Sequence, residues 1–227
     1  MANLRANNLS GEQGQNAIRG SLGFHGSENS TDYLQVGSAG DFNYLHDGTS
    51  DWTAEFFVRS DQLNHRQTVF STGGNSSSIG FACRIMEDGA SGGSNGYKVL
   101  CQFSRGVSGN YLGFLGGVIS QSNDNKDFSH VALVFTTSNK QLAIYINGQL
   151  TNSSDLDGTA NGTFGSGNFS SDNHTYAFTI GRENFGNTLY MDSGFISNLR
   201  IVEGETVYTA AFTPPTSELT IISNTTL

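Results

Sequence analysis

From Ser21 onward the chain alternates apolar and polar residues in short runs. In "DWTAEFFVRS", Trp52, Ala54, Phe56 and Val58 share one face, while Thr53, Glu55 and Arg59 share the other. A period of two predicts a strand with one face on a core and the other in water. "HVALVFTT" repeats the pattern through Val131, Leu133 and Phe135, and "QLAIYI" through Leu142, Ile144 and Ile146. "SNK" turns the chain between those two runs. Asn147-Gly148 follows, a pair that tolerates the positive φ of a type I′ hairpin turn. "QTVFSTG", "IGFACRIM", "YKVLCQFS", "NYLGFLGGVIS", "AFTIGR" and "LYMDSGFISNLRIV" read as further strands, with "SLGFHG" and "DYLQV" as short ones at a sheet edge. Turns rich in Gly, Ser and Asn separate them. Residues 151–174 form the longest polar loop, and no stretch carries apolar residues at helical spacing for long.

The expected architecture is all-β, a two-sheet antiparallel sandwich. Residues 1–20 are polar, with Leu4, Leu9 and Ile18 isolated, and read as an N-terminal arm. One domain is expected over residues 21–220, then a C-terminal tail over 221–227. No linker interrupts the strand pattern, and 227 residues suffice for a large single core. Near the end, Gly204 lets the chain leave the last strand in a tight turn. Tyr208 and Phe212 can anchor the returning segment by burying their rings, and Pro214 and Pro215 end strand pairing.

Composition removes several function classes. Gly at 29 and Phe at 16, with charged residues at only 14%, fit short strands and turns rather than a disordered chain. The net charge of −9 comes without a basic stripe, so nucleic acid is not an expected partner. No apolar run is long enough to cross a membrane, so membrane insertion is not expected. "MANLRANNLSGEQGQNAIRG" lacks the apolar stretch of a signal peptide, which predicts synthesis and use in a cytoplasm. Asn-x-Ser/Thr triplets at Asn75, Asn161 and Asn173 are discounted as glycosylation sites on that basis. Cys83 and Cys101 flank "EDGASGGSNG" and would sit nearly opposite each other in a hairpin. A cross-strand disulfide is geometrically possible, and buried free thiols are the expectation for a reducing compartment.

The order "WTAEFFVRS", "FSHVALVFTTSNKQLAIYINGQL", "FTIGR", "GFISNLRIVEG" resembles the concanavalin A-like jelly roll in its laminin G-like branch, over residues 21–220. "LRANNLSGEQGQNAIRGSLGFHG" and "ISNLRIVEGETVYTAAFTPPTSELT" are similar to laminin G-like proteins of tailed, especially marine, bacteriophages. That resemblance implies a non-enzymatic virion structural protein, a capsid or tail decoration or accessory protein. It would be made in the host cytoplasm and contact other virion proteins through the arm, or a second copy of itself. The alternative is a receptor- or glycan-binding module of a tail fibre or tail tip, with a host surface glycan as partner.

Candidate chemistry is sparse. β-Glucan-cleaving enzymes of this fold carry Glu-x-Asp-x-x-Glu on a strand, to hold two carboxyls about 5 Å apart for a retaining mechanism. This sequence lacks it. Glu203 and Glu205 flank a turn glycine, and Ser94 in "GGSNG" matches the nucleophile elbow only by letters. The five histidines are dispersed, so no catalytic residue is assigned. For a lectin site, aromatic rings in or beside Gly/Asn-rich loops are the candidates: Tyr111, Phe164, Phe169, Tyr176 and Phe185. No other cofactor is expected. Calcium is the one candidate metal, because laminin G-like domains bind it with oxygen ligands. Asp155 and Asp157 in "SSDLDG", and Asp124 and Asp127 in "QSNDNKD", are the candidate ligands. Ser197-Asn198 stands where such domains often carry an acidic pair.

Overall fold

The computed structural model describes residues 21–25, 32–60, 66–73, 79–87, 97–105, 111–120, 127–151, 154–155, 176–183 and 189–226. The strands are β1 (Leu22–His25), β2 (Leu34–Val36), β3 (Trp52–Ser60), β4 (Gln67–Ser71), β5 (Ile79–Glu87), β6 (Tyr97–Arg105) and β7 (Tyr111–Ser120). They continue as β8 (Ser129–Thr136), β9 (Gln141–Ile146), β10 (Gln149–Thr151), β11 (Ser154–Asp155), β12 (Phe178–Ile180) and β13 (Ser193–Glu203). Among the described residues one short helix, α1 (Tyr44–Asp47), joins them. Six strands form one antiparallel sheet in the order β1-β13-β3-β8-β9-β10. Seven form the other, β11-β7-β6-β5-β4-β12-β2. The expected all-β, two-sheet sandwich is therefore the fold. The short strands β1 and β2 end their sheets, as expected of "SLGFHG" and "DYLQV".

The alternation read along the sequence fills the space between the sheets. Trp52, Ala54, Phe56 and Val58 of β3, Val131, Leu133 and Phe135 of β8, and Leu142, Ile144 and Ile146 of β9 all belong to one buried cluster. Phe70, Phe81, Cys83, Cys101 and Phe103 meet them from the seven-stranded sheet. Trp52 is wholly buried, stacked on Phe135 at 5.7 Å and edge-on to Phe81 at 5.5 Å. Aromatic rings dominate this interior because each covers a large apolar area in one side chain. Asn147 and Gly148 have φ of 50° and 76°, the doubly positive pair a type I′ turn requires. The segment 41–48 did not announce itself: α1 is one turn long, too short to show a helical period, yet it plugs Tyr44 and Leu45 into the core.

Cys83 and Cys101 are register partners on β5 and β6, both buried and both free thiols. Burial, then the neighbouring Cys83 thiol, pushes the Cys101 thiol well above its ordinary value. Only a thiolate attacks thiol reagents. Native protein is therefore expected to resist a soluble thiol reagent and to be labelled at both cysteines only on unfolding. Fast labelling of the folded protein would contradict this packing.

Candidate functional site

The outer face of β3 was expected to meet water. For most of its length it does not: Thr53 and Glu55 are fully buried and Phe57 nearly so, while Arg59 is half-buried. The cover is the chain beyond β13. Gly204, with φ of 77°, turns the backbone as expected and donates its N–H to the Asp51 carbonyl at 2.6 Å. Thr53 Oγ1 then donates to the Glu205 carbonyl and accepts from the Val207 N–H, each at 2.9 Å. Further on, the Phe212 N–H donates to the Gly148 carbonyl at 2.9 Å. Tyr208 and Phe212 stack face to face at 3.6 Å and pack with Ala132, Val134 and Tyr145. Residues 205–212 thus form a strap across the six-stranded sheet. The last residues dock as well: the Thr226 N–H donates to the Ile201 carbonyl at 2.8 Å, and Thr225 bridges Val202.

Under the strap lies a closed set of charged bonds. Glu55 on β3 is the cross-strand partner of Arg200 on β13. Arg200 donates to Glu55 Oε1 from Nε at 2.8 Å and again from Nη2. His130 Nε2 lies 3.2 Å from Oε2, and the Tyr208 hydroxyl donates to that same oxygen at 2.7 Å. Arg200 Nη1 donates to the Thr220 carbonyl at 2.7 Å. Burial alone would raise the Glu55 pKa. The bonds from His130, Tyr208 and Arg200, with the arginine charge, outweigh it and hold the carboxyl below its ordinary value. Tyr208 is pushed well up, first by burial and then by its bond to Glu55.

A second buried acid, Glu183, is held by Arg84 of β5 through Nε at 3.0 Å and Nη2 at 2.6 Å, with Gln102 of β6 on the arginine's Nη1. Burial outweighs the arginine charge here and pushes the Glu183 carboxyl up. Glu55 lies on β3 of the six-stranded sheet and Glu183 just past β12 of the seven-stranded one, and an arginine occupies each. A retaining glycosidase needs two carboxyls about 5 Å apart on one site, and these two are each bonded to their own arginine. Among the described residues no group of three or more His, Cys, Asp or Glu side chains could hold a metal.

Beside the strap, β8, β9 and β10 leave a groove of about 400 Å³. Val134, Leu142 and Ala143 give its apolar lining. Thr136, Gln141, Tyr145, Thr151, Thr206 and Thr209 bring hydroxyls and an amide, Tyr208 adds its ring while its hydroxyl is held by Glu55, and Leu150 stands at the lip, 58% exposed. No lining side chain carries a formal charge.

Of the lectin and calcium candidates singled out in the sequence, the four that are described lie on separate elements. Tyr176 is half-buried just ahead of β12, and Tyr111 opens β7. Asp127 is exposed ahead of β8 in the six-stranded sheet, whereas Asp155 lies in β11 at the end of the seven-stranded one. Phe164, Phe169, Phe185, Asp124 and Asp157 lie outside the described residues. The groove was missed, although one signal was present. Ala132 and Val134 alternate with Val131, Leu133 and Phe135, so β8 is apolar on both faces. A strand apolar on both faces is covered on both.

These layers and this strand order define a β-sandwich of the jelly-roll class. The laminin G-type family model, described as the concanavalin A-like lectin/glucanases superfamily, matches residues 28–207, and the chain belongs to that family. Among solved structures, the native heptameric SAP-like pentraxin of Limulus polyphemus is 17% identical with a TM-score of 0.51, covering 80% of this chain and 74% of that one. Mouse laminin α1 chain domains LG4-5 are 12% identical with a TM-score of 0.53, covering 86% and 46%. The binding domain of Paraclostridial Mosquitocidal Protein 1 is 12% identical with a TM-score of 0.50, covering 86% and 41%. This chain therefore spans less than half the length of the last two. At such identities the likeness is one of fold. No curated protein sequence matches the chain.

Proposed function

We propose that the protein is a non-catalytic carbohydrate-binding module whose contact surface is the groove between the strap and β8–β10. The observation that carries this reading is the groove's lining: hydroxyls, one amide and apolar carbons, with no charged side chain. Sugars present that same mixture of hydroxyls and C–H faces. The groove's volume sits at the small end of ligand clefts, about 300–1,000 Å³, which suits a mono- or disaccharide terminus. Family membership supports it, since the family is described by lectins and glucanases. The full engagement of Glu55 and Glu183 by arginines supports binding over hydrolysis.

The test is a glycan array followed by titration of the best neutral glycan. Gln141→Ala with Thr209→Ala removes polar lining without touching the core, and is expected to weaken binding roughly tenfold, about 1.4 kcal/mol. Absence of binding to any glycan, or equal binding by the variant, would defeat the reading. The terminal motifs support a phage particle as the setting, with this module on the virion surface. Copy-number proteomics of purified virions checks that setting: many copies indicate decoration, few copies at the tail indicate host recognition.

A further inference from the structure

Arg182 follows β12 on a firmly held backbone. It bridges Tyr190, its carbonyl accepts from Thr179 Oγ1 at 2.8 Å, and the flanking Glu183 N–H donates to the Leu189 carbonyl at 2.9 Å. Its guanidinium carbon stands 4.5 Å from the Tyr33 ring centroid and 5.7 Å from that of Tyr190. Nε is shut away from solvent with no hydrogen-bond partner, and the side chain forms no ion pair with any described residue. Arg84 and Arg200 behave otherwise, since each is spent on a buried glutamate. Acids are not scarce: the chain has 20 acidic against 11 basic residues. Glu183, the next residue, is turned to Arg84. Arg182 is thus a fixed cation held by aromatic rings rather than by an acid.

Ring contacts of this kind orient a guanidinium but leave its N–H groups unspent. Nε is closed off from solvent, which leaves the Nη groups of the half-buried side chain for a ligand. Those groups match a carboxylate in two parallel N–H···O bonds. We propose that Arg182, positioned by Tyr33 and Tyr190, binds the carboxylate of an acidic saccharide, a uronic acid residue. A single carboxylate also suits a protein of net charge −9, which would repel a densely sulfated or phosphorylated polymer. The site is at the β12–β2 end of the seven-stranded sheet, apart from the groove on the six-stranded one. It stands whether or not the groove binds neutral sugar.

The experiment is calorimetric titration of the full chain with a galactose oligomer ending in one galacturonic acid residue, with the uncharged galactose oligomer as control. The uronate is expected to bind more tightly than its neutral counterpart, and added salt is expected to weaken it. Arg182→Gln is expected to lower uronate affinity at least roughly tenfold while leaving neutral-glycan binding and the thermal midpoint in place. Arg182→Lys keeps the charge without the fork and is expected to fall between. Should Arg182→Gln fold poorly, a uronate-induced NMR shift of the Arg182 guanidinium in the unaltered protein decides the matter. Equal affinity for both oligomers, full uronate binding by Arg182→Gln, or inorganic sulfate competing as well as the uronate would overturn the proposal. Gln141→Ala with Thr209→Ala should not alter uronate binding, which separates this site's failure from the groove's.

Discussion

Replacing Glu55 by alanine is expected to cost the fold about 3–5 kcal/mol, the range for breaking a buried charge pair by removing one partner. The substitution leaves three donors behind: the Arg200 guanidinium, the Tyr208 hydroxyl and the His130 ring. Arg200 is the decisive one, being buried and charged under the strap. Glu55→Gln should cost less, because the amide keeps an oxygen to accept a bond though it brings N–H groups toward donors. Urea unfolding of both variants at neutral pH checks the ranking, and a loss below about 1 kcal/mol for Glu55→Ala would mean that water reaches Arg200.

The same residue fixes an acid limit. The Glu55 carboxyl is held below its ordinary value in the folded chain. Its contribution is therefore fully present above the unfolded value of about 4.3, and is lost as pH falls through the lower folded value. Glu183 has the opposite sign. Its carboxyl is pushed up, so its contribution is present below about 4.3 and is lost as pH rises through the folded value. Stability measured from neutral pH downward should fall less steeply in Glu55→Gln than in the unaltered protein.

The core half of this molecule was legible because it obeys one rule. Side chains alternate at period two, and the inward set on β3, β8 and β9 is apolar apart from Ser60 and Ser129 at two strand ends. The Asn147-Gly148 turn was equally plain, since its φ values exclude most other residue pairs. The strap was half legible: Gly204, Tyr208 and Phe212 marked a returning segment, but nothing local said which face it would cover. That information lies in a pairing across sequence, Glu55 with Arg200 and Tyr208, separated by 145 and 153 positions. A buried glutamate and a solvated one look alike in sequence until the arginine's register is known. The groove is harder still, because its lining comes from three strands and the strap. Arg182 between Tyr33 and Tyr190 likewise joins segments about 150 positions apart.

Gly148→Ala is the second large effect, and Gly204→Ala is its built-in control. The two glycines have nearly the same backbone, with φ of 76° and 77°. Each substitution therefore pays a similar left-handed penalty, about 1–2 kcal/mol. They differ in what the new methyl would meet. At Gly204 the nearest atom is the Asn224 side-chain nitrogen at 3.9 Å, an ordinary contact. At Gly148 it is the Phe212 backbone carbonyl oxygen, 1.8 Å away. A side chain could rotate aside, whereas a backbone carbonyl moves only with its segment. The strap must then shift, breaking the 2.9 Å bond from Phe212 to Gly148 and unseating the Tyr208–Phe212 stack. Overpacking of this kind costs a further 1–3 kcal/mol or so, so Gly148→Ala is expected to lose about 2–5 kcal/mol against about 1–2 for Gly204→Ala. Because Thr206, Tyr208 and Thr209 form one wall of the groove, Gly148→Ala should also open residues 205–212 to limited proteolysis and weaken neutral-glycan binding, while leaving uronate binding at Arg182 intact. Equal losses of stability in the two variants would show that the strap is not seated on the β9–β10 turn, and the groove would then lack the wall on which its proposed function depends.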